Sequence, residues 1–426
     1  MKLKTLTLTD FRCFHSFSLQ LDPHLTVLVG QNGVGKTAIL DAIAIGLGAF
    51  ITRVPNVSGK DFNKQSTDIR VHGNEQKRPY TRITIESTNG VKWDRTKRRD
   101  QTQKTRERIP LGVGVKSLNE YVDQYVDASN QNEPFELPVF AYYGTGRGVF
   151  DVPKRRRDFL ESFVRFDVYK DTLDAKADFR QFFKYFYFLE QLEKERIVEQ
   201  KDFDYTLPQL NAIRRAIKIA LPYISAPRIK QNPLRFLIDW HKNNDVSTLR
   251  IEQLSDGYRI TVAMIADIAA RMAGANPTMN DPLQSEGVIL IDEIELHLHP
   301  QLQREILFLI LRRVFPNVQY VCTTHSAPVV SHIKDGTVFI LRDFDTNIQA
   351  SKIRTYGHDA NYLLERVFET GKNPAKIQER LDECARLIDS NQLEQAKRVL
   401  SQLESEIGSD NPDLLYLSGL IEFMMD

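Results

Sequence analysis

The sequence predicts an α/β protein, and three observations carry that expectation. An alternating stretch from Leu3 runs into the apolar segment Leu25 to Val29, a glycine-rich loop and an almost wholly apolar helix from Ala38. Late in the chain a second apolar run, Val288 to Ile291, ends in Asp292-Glu293 and is followed by more strand–helix alternation. After about Gly371 the texture becomes purely helical.

The 426 residues correspond to roughly three units of about 150 residues. Hydrophobic residues make up 42% and charged residues 27%, an ordinary balance for a soluble chain with a large core. Lys+Arg 57 against Asp+Glu 56 gives a net charge of +1, so no global field drives the molecule onto DNA or acidic lipid. Charge segregated along the chain still can. Cys13, Cys322 and Cys384 form neither a disulfide framework nor a zinc pattern and fit a reducing cytosol. The start shows no signal-peptide pattern, and the apolar stretches fall short of the roughly 20 residues a bilayer span needs. A soluble, cytoplasmic protein without a membrane partner is expected.

In chain order, Leu3-Leu6-Leu8 and Phe17-Leu19-Leu21 alternate as two half-buried strands before the buried strand Leu25–Val29. The helix from Ala38 must be covered on all sides. Thr81–Glu86 and Val91–Asp94 read as a hairpin across Thr88-Asn89-Gly90. Lys92 to Arg108 carries eight Lys/Arg against Asp94, Asp100 and Glu107, an excess of five. That segment is read either as a solvated, mobile loop or as a surface for a nucleic-acid backbone. Leu137–Gly148 is a strand ending in a loop with Gly144, Gly146 and Gly148, and a second basic run follows at Lys154–Arg157. Asp167–Glu199 and Asn211–Lys218 read as helices, the first with a phenylalanine packing stripe at Phe179, Phe182, Phe183 and Phe186. Strands are expected at Val318–Thr323 and Val338–Leu341, with a helix at Gln301–Val314. Lys376–Ser390 and Leu393–Ile407 form a helix hairpin similar to a single tetratricopeptide unit, and Asn411-Pro412 starts a third helix.

Gly30-Gln31-Asn32-Gly33-Val34-Gly35-Lys36-Thr37 matches G-x-x-x-x-G-K-[ST] in full. The glycines let backbone N–H groups turn inward around phosphate oxygens, and the following helix aims its positive end at them. Lys36 is expected on the terminal phosphates, and Thr37 on Mg²⁺. The strand before and the helix after supply the context the motif requires, so a nucleoside triphosphate is the expected ligand. Asp292, at the end of a buried strand, is the second expected Mg²⁺ ligand, and Glu293 is placed to polarise the attacking water. Ser255 and Gly257, before the apolar helix Thr261–Ala270, could form a second anion cradle. His325 follows a sheet strand where a terminal phosphate would lie.

This ordered set resembles the ABC-type ATPase head of the SMC and RecF group over residues 1 to about 345, matching its Walker A, signature, Walker B and switch-histidine elements. Its signature departs from the transporter form, with Asp256 in place of the first glycine and Tyr258-Arg259 after the second. The resemblance implies a P-loop head with a mixed central sheet, flanking helices and an antiparallel β subdomain. To it are added a helical insertion and a C-terminal helical domain. The expected divisions are 1–149 with Walker A, 150–225 as insertion, 226–370 with signature, Walker B and switch histidine, and 371–426 as a helical tail for partner docking. ATP and Mg²⁺ are the implied ligands. Heads of this group pair head-to-tail, so Ser255 and Gly257 would contact ATP held by Lys36 of a second subunit. Glu293 and His325 are the implied catalytic residues, and Gln65 is the nearest candidate for the family's Q-loop glutamine.

A narrower similarity lies in Phe140-Ala-Tyr-Tyr-Gly-Thr-Gly-Arg147, Ile294-Glu-Leu-His-Leu-His-Pro300 and Tyr356-Gly-His-Asp-Ala360. With the helical tail, these resemble bacterial antiphage-defence ATPases of the PtuA type. That group works beside an HNH nuclease, PtuB, in Septu systems and in some retrons, which adds a reverse transcriptase and its DNA/RNA as partners. His297 and His299 lie two apart with no third ligand in view, so packing is preferred to a metal site. Lys36 and Ser255 stand 219 residues apart (255 − 36), too few for a long coiled coil. The alternative reading is a RecF-like repair ATPase without a nuclease partner. A nuclease in its own right is disfavoured, because no His-Asn-His constellation or second carboxylate cluster is present.

Overall fold

The structure, a computed structural model, describes residues 1–425 apart from 66, 73–75, 148–151, 153–162, 177–178, 244, 299–302, 304–306, 345–346 and 369–373. The chain divides into two compact units, Met1–Gly357 and His358–Asp426.

In the first unit the strands are β1 (Leu3–Phe11), β2 (Phe14–Gln20), β3 (Leu25–Gly30), the short pair β4 (Val71–His72) and β5 (Gln76–Lys77), β6 (Tyr80–Ser87), β7 (Lys92–Arg98) and β8 (Val139–Tyr143). They continue with β9 (Ile224–Lys230), β10 (Arg235–Lys242), β11 (Asp245–Arg250), β12 (Gly287–Ile291), β13 (Val318–Thr323), β14 (Thr337–Phe344) and β15 (Asn347–Ile353). The helices are α1 (Lys36–Arg53), α2 (Gln103–Glu107), α3 (Lys116–Asn130), α4 (Arg180–Gln200), α5 (Pro208–Ala220), α6 (Asp256–Ala275), α7 (Leu307–Val314) and α8 (Ala327–Ser331).

Six strands form the central sheet in the order β15-β14-β3-β13-β12-β8, parallel except for the edge strand β15. β3, β12, β13 and β8 are buried at every residue, as expected of strands covered on both faces. Their registers bring the carboxyl ends together: Ile291 lies beside Tyr143 and Cys322, Thr323 beside Leu28, and Gly30 beside Leu341. A second, antiparallel sheet runs β2-β1-β6-β7, and the period-2 alternation of β1 and β6 marks its one buried face. Helix α1 packs against both sheets, which explains why its sequence is apolar all round. A Cβ at Gly46 would fall 2.2 Å from the Ile85 side chain, so the helix approaches the second sheet closely only because that position is glycine.

Three features run against the sequence-based expectation. Lys92–Arg98 is a sheet strand, not a mobile loop: Trp93 is fully buried and donates to the Gly46 carbonyl (3.0 Å). A three-stranded antiparallel sheet, β11-β10-β9, also stands where no strands are expected. Its outer strand is almost wholly exposed and its charged residues blur any alternation. Asp167–Glu199 is not one helix; a 3-10 turn at Arg165–Tyr169 precedes α4, and Phe179 takes φ +56° at the helix start. The phenylalanine stripe nonetheless packs as expected, with Phe182, Phe183 and Phe186 against Phe236 of β10. The basic run Lys154–Arg157 and Gly148 lie outside the described residues.

The second unit contains α9 (Ala360–Arg366), α10 (Ala375–Asp389), α11 (Leu393–Ile407) and α12 (Pro412–Met425). Leu381, Cys384, Ala396, Leu400, Leu403, Leu414 and Ile421 form its core, so the last three helices bury one shared stripe each.

Candidate active site

The Gly30–Thr37 loop joins the end of β3 to α1, so the sheet itself delivers it to the carboxyl edge, where ligands of open α/β sheets bind. Two glycines are required by space. At Gly30, with φ +146°, a Cβ would stand 2.6 Å from the Leu341 carbonyl oxygen. Gly35, the left-handed cap of α1, would clash with Cys13 Sγ at 2.6 Å and with the Phe14 ring at 2.7 Å. Gln31, Asn32 and Gly33 are exposed at the loop crest, whereas Val34 packs inward. Lys36 is buried, and its Nζ donates to the carbonyls of Gly30 and Gln31, both at 2.8 Å. Burial pulls the Lys36 ammonium down to about 8, against the opposing pull of Asp292, Glu293 and Glu295. A phosphate would supply the countercharge that neutral carbonyls do not.

The Walker B pair enters from β12. The Thr37 hydroxyl donates to Asp292 Oδ2 (2.8 Å), bridging 255 residues of sequence. Two oxygens converging on the exposed side of a buried strand end fit a hard divalent cation. Asp292 is 2% exposed; its Oδ1 accepts from the Thr323 hydroxyl (2.5 Å) and its N–H donates to the Tyr143 carbonyl (2.8 Å). Glu293 takes φ +45°, a left-handed conformation uncommon for a side chain of its size, and its N–H donates to Thr323 Oγ1 (2.7 Å). His325 stands next in space. Its N–H donates to Glu295 Oε1 (2.6 Å), and the Thr324 hydroxyl donates to Glu295 Oε2 (2.7 Å). Burial first, then the charge of Lys36, hold the His325 imidazole below its usual range, favouring the neutral ring.

Walker A, Walker B and His325 therefore meet at one edge. Ser255 and Gly257 belong to a different place, the amino end of α6, where Ser255 is the exposed N-cap. A Cβ at Gly257 would lie 2.7 Å from the His297 carbonyl oxygen, so the signature turn packs on the segment that follows Walker B. His299 lies outside the described residues, and His297 takes φ +67° in that segment. Among the described residues no group of three His, Cys, Asp or Glu is arranged for a metal ion, and no helix is long and apolar enough to cross a membrane. Gln65 is exposed; its bonds are to Asn63 and Lys77, on the turn after α1.

Much of the basic segment is engaged internally. Arg95 donates to the carbonyls of Ile45 (2.9 Å) and Lys60 (2.7 Å) and to Asp61 (2.6 Å). Lys97 bonds the Asn63 carbonyl, and Arg99 holds Asp100, Thr105 and the Lys77 carbonyl. Arg98, Lys104, Arg106 and Arg108 are exposed.

Three residues of the site have no role that their sequence positions suggest: Thr323, Glu295 and Arg147. Thr323 ends a strand, Glu295 sits inside the Ile294–Pro300 segment, and Arg147 closes the Gly-Thr-Gly-Arg turn. Only the folded contacts show that Thr323 and Arg147 adjoin Asp292 and Glu293 and that Glu295 adjoins His325.

The chain is similar to several known proteins. A family model described as the AAA domain matches residues 5–225. The chain is similar to a protein of Escherichia coli named "Retron Ec83 probable ATPase", 26% identical over 99% of this chain and 87% of the relative. It is 24% identical to "Retron Vc95 probable ATPase" of Vibrio cholerae serotype O1 biovar El Tor, over 88% of this chain and 80% of that one. A shorter match, 39% identical, joins 22% of this chain to 12% of "Septu protein PtuA" of Bacillus mycoides (strain KBAB4). These similarities fit the SMC/RecF-like ABC ATPase resemblance and its Septu and retron branch.

Proposed function

The chain belongs to the AAA domain family, and we propose that it binds and hydrolyses ATP as a switch that restrains or releases an HNH nuclease of the PtuB type in antiphage defence. The observation that carries the ATPase reading is the meeting of Lys36, Thr37, Asp292, Glu293 and His325 at one sheet edge, with Thr37 and Asp292 in contact. Lys36 and the loop N–H groups bind the phosphates. Glu293 orients the attacking water and takes its proton, while the neutral His325 ring donates toward the terminal phosphate. Thr37 and Asp292 would hold Mg²⁺, which would supply charge neutralisation at the phosphates.

Ser255 and Gly257 sit on another element from Lys36, which supports the head-to-tail pairing in which each ATP meets a second subunit's signature. The similarity to retron proteins supports a reverse transcriptase and its DNA/RNA as further partners, with the helical unit 358–426 as the docking element. Duplex DNA would meet the exposed cations of Lys92–Arg108. The test is Glu293→Gln. This variant keeps ATP and loses the base, so light scattering in ATP·Mg²⁺ should show an accumulated dimer that also retains a co-expressed HNH nuclease. A monomer in ATP contradicts the switch.

A further inference from the structure

We propose that Arg147 is a positioning residue for the acidic pair: it grips the main chain of Asp292 and Glu293 so that the Glu293 carboxylate is presented to the attacking water. The proposal rests on the ATPase reading above.

Strands β8 and β12 run parallel with Tyr143 beside Ile291, so their carboxyl ends emerge side by side. The Asp292 N–H already donates to the Tyr143 carbonyl. Beyond Tyr143 the chain turns tightly. Gly144 N–H donates to the Ala175 carbonyl (3.0 Å), and a Cβ at Gly144 would stand 2.5 Å from that of Ala175. The Arg147 N–H closes the turn on the Gly144 carbonyl (3.1 Å). Its side chain then doubles back. Nη1 donates to the carbonyls of Gly144 (3.0 Å) and Asp292 (2.6 Å), and Nη2 donates to that of Glu293 (2.8 Å).

A left-handed residue turns successive carbonyls toward the same side, whereas a strand alternates them. Glu293 is that residue, and the two carbonyls flanking it both meet one guanidinium. A non-glycine residue is intrinsically unfavourable in this conformation, so the surroundings must impose it. Thr323 Oγ1 fixes the Glu293 N–H, the Thr323 carbonyl fixes the Ile294 N–H (3.0 Å), and Arg147 fixes the two carbonyls. Every main-chain polar group around Glu293 is thereby engaged.

Arg147 is 5% exposed, and its side-chain bonds among the described residues are to neutral carbonyls. Burial lowers its pKa, while Asp292, Glu295 and Glu293 oppose that shift. A buried cation is costly to keep, and a neutral amide could satisfy a carbonyl in an ordinary turn. What a neutral amide lacks is the planar fork that spans two adjacent peptide oxygens, which a lysine also lacks. The strand end that carries Arg147 is itself anchored. The Tyr143 hydroxyl donates to Asp267 (2.7 Å), which Arg271 also holds (2.9 Å), both on α6, the helix that begins with the signature.

The full chain is compared with Arg147→Ala and Arg147→Lys by ATP turnover and by hydrogen exchange resolved at the Glu293 and Ile294 amides. In Arg147→Ala, kcat should fall roughly 10²-fold with KM within about threefold, the signature of a misplaced group rather than of weakened substrate binding. Exchange at Glu293 and Ile294 should accelerate while the amides of β3 and α1 keep their protection. Added guanidinium ion should restore part of the rate, and Arg147→Lys should stay close to the alanine variant. An unchanged kcat with unchanged exchange overturns the proposal, as does an effect confined to KM. If Arg147→Ala fails to fold, Arg147→Lys provides both readouts, and wild-type turnover with wild-type exchange then overturns it. If the wild-type chain hydrolyses no ATP, the ATPase reading fails by itself. In that case unchanged exchange overturns the clamp and faster exchange supports it.

Discussion

The P-loop corner and strand β7 both bring positive charge to the first unit, and they dispose of it in opposite ways. At the P-loop a single buried ammonium, Lys36, rests on two carbonyls with three carboxylates nearby. On β7 and just after it the cations are many, but Arg95, Lys97 and Arg99 are tied to the protein's own carbonyls and acids. A charge count ranks the two sites wrongly. What differs is how each donor is held: among the described residues the buried Lys36 ammonium bonds neutral carbonyls, whereas Arg95 and Arg99 already bond carboxylates.

The largest effect expected from this contrast is at Lys36. Lys36→Ala removes the ammonium proposed to meet the phosphates, and ATP affinity on calorimetry should fall by about 10²-fold or more. Retained affinity would mean that the backbone N–H groups alone hold the phosphates and that the two regions differ less than their geometry indicates.

A smaller effect follows from the titration of the same group. Without a bound phosphate Lys36 ionises at about 8, with burial as the leading cause. Phosphate favours the charged form, so its pKa rises in the complex. ATP binding should therefore take up a proton once the pH exceeds about 8, and affinity should weaken up to ~10-fold per pH unit above it. Below about pH 7 the group is charged in both states and this dependence vanishes. Calorimetry at about pH 8.5 in two buffers of different ionisation enthalpy measures the uptake; zero uptake would place the Lys36 pKa elsewhere.

The contrast also separates what is legible in sequence from what is not. Gly30 to Thr37 is contiguous, and its chemistry needs only the flanking strand and helix, so Lys36 and Thr37 can be read from a local pattern. Asp292 and Glu293 gain their meaning from a buried run directly before them. The contacts that complete the corner cross the sheet instead: Arg147 reaches Asp292 over 145 residues, and Thr323 reaches it over 31. Such contacts are set by strand register, which composition and periodicity do not encode. The elements that escape a reading of the sequence share another cause. Helix α3 buries only Leu118 and Val122, and β11 has no fully buried residue, so neither carries an apolar pattern strong enough to read. The basic strand misleads for a related reason. Trp93 and Arg95 share the face toward α1, while Asp94, on the opposite face, is buried and accepts from the Gly114 N–H, so two of the three inward positions are charged residues that sequence alone counts as polar.

The smallest effect tests the surface that remains on the basic segment. Arg98, Lys104, Arg106 and Arg108 are exposed, and a DNA backbone could reach them. Changing all four to alanine should weaken duplex binding a few-fold at moderate salt. For every phosphate no longer neutralised, the slope of log affinity against log salt becomes shallower by about 0.9. Arg95→Ala should behave differently. It strips the guanidinium from the Ile45 and Lys60 carbonyls and from Asp61, costing on the order of 1–3 kcal/mol of stability. The salt slope of its folded fraction should not change. Fluorescence anisotropy across a salt series, with thermal unfolding alongside, distinguishes the two variants. If the quadruple variant keeps the wild-type slope, the exposed cations are a solvated face, and the contrast between β7 and the P-loop becomes complete.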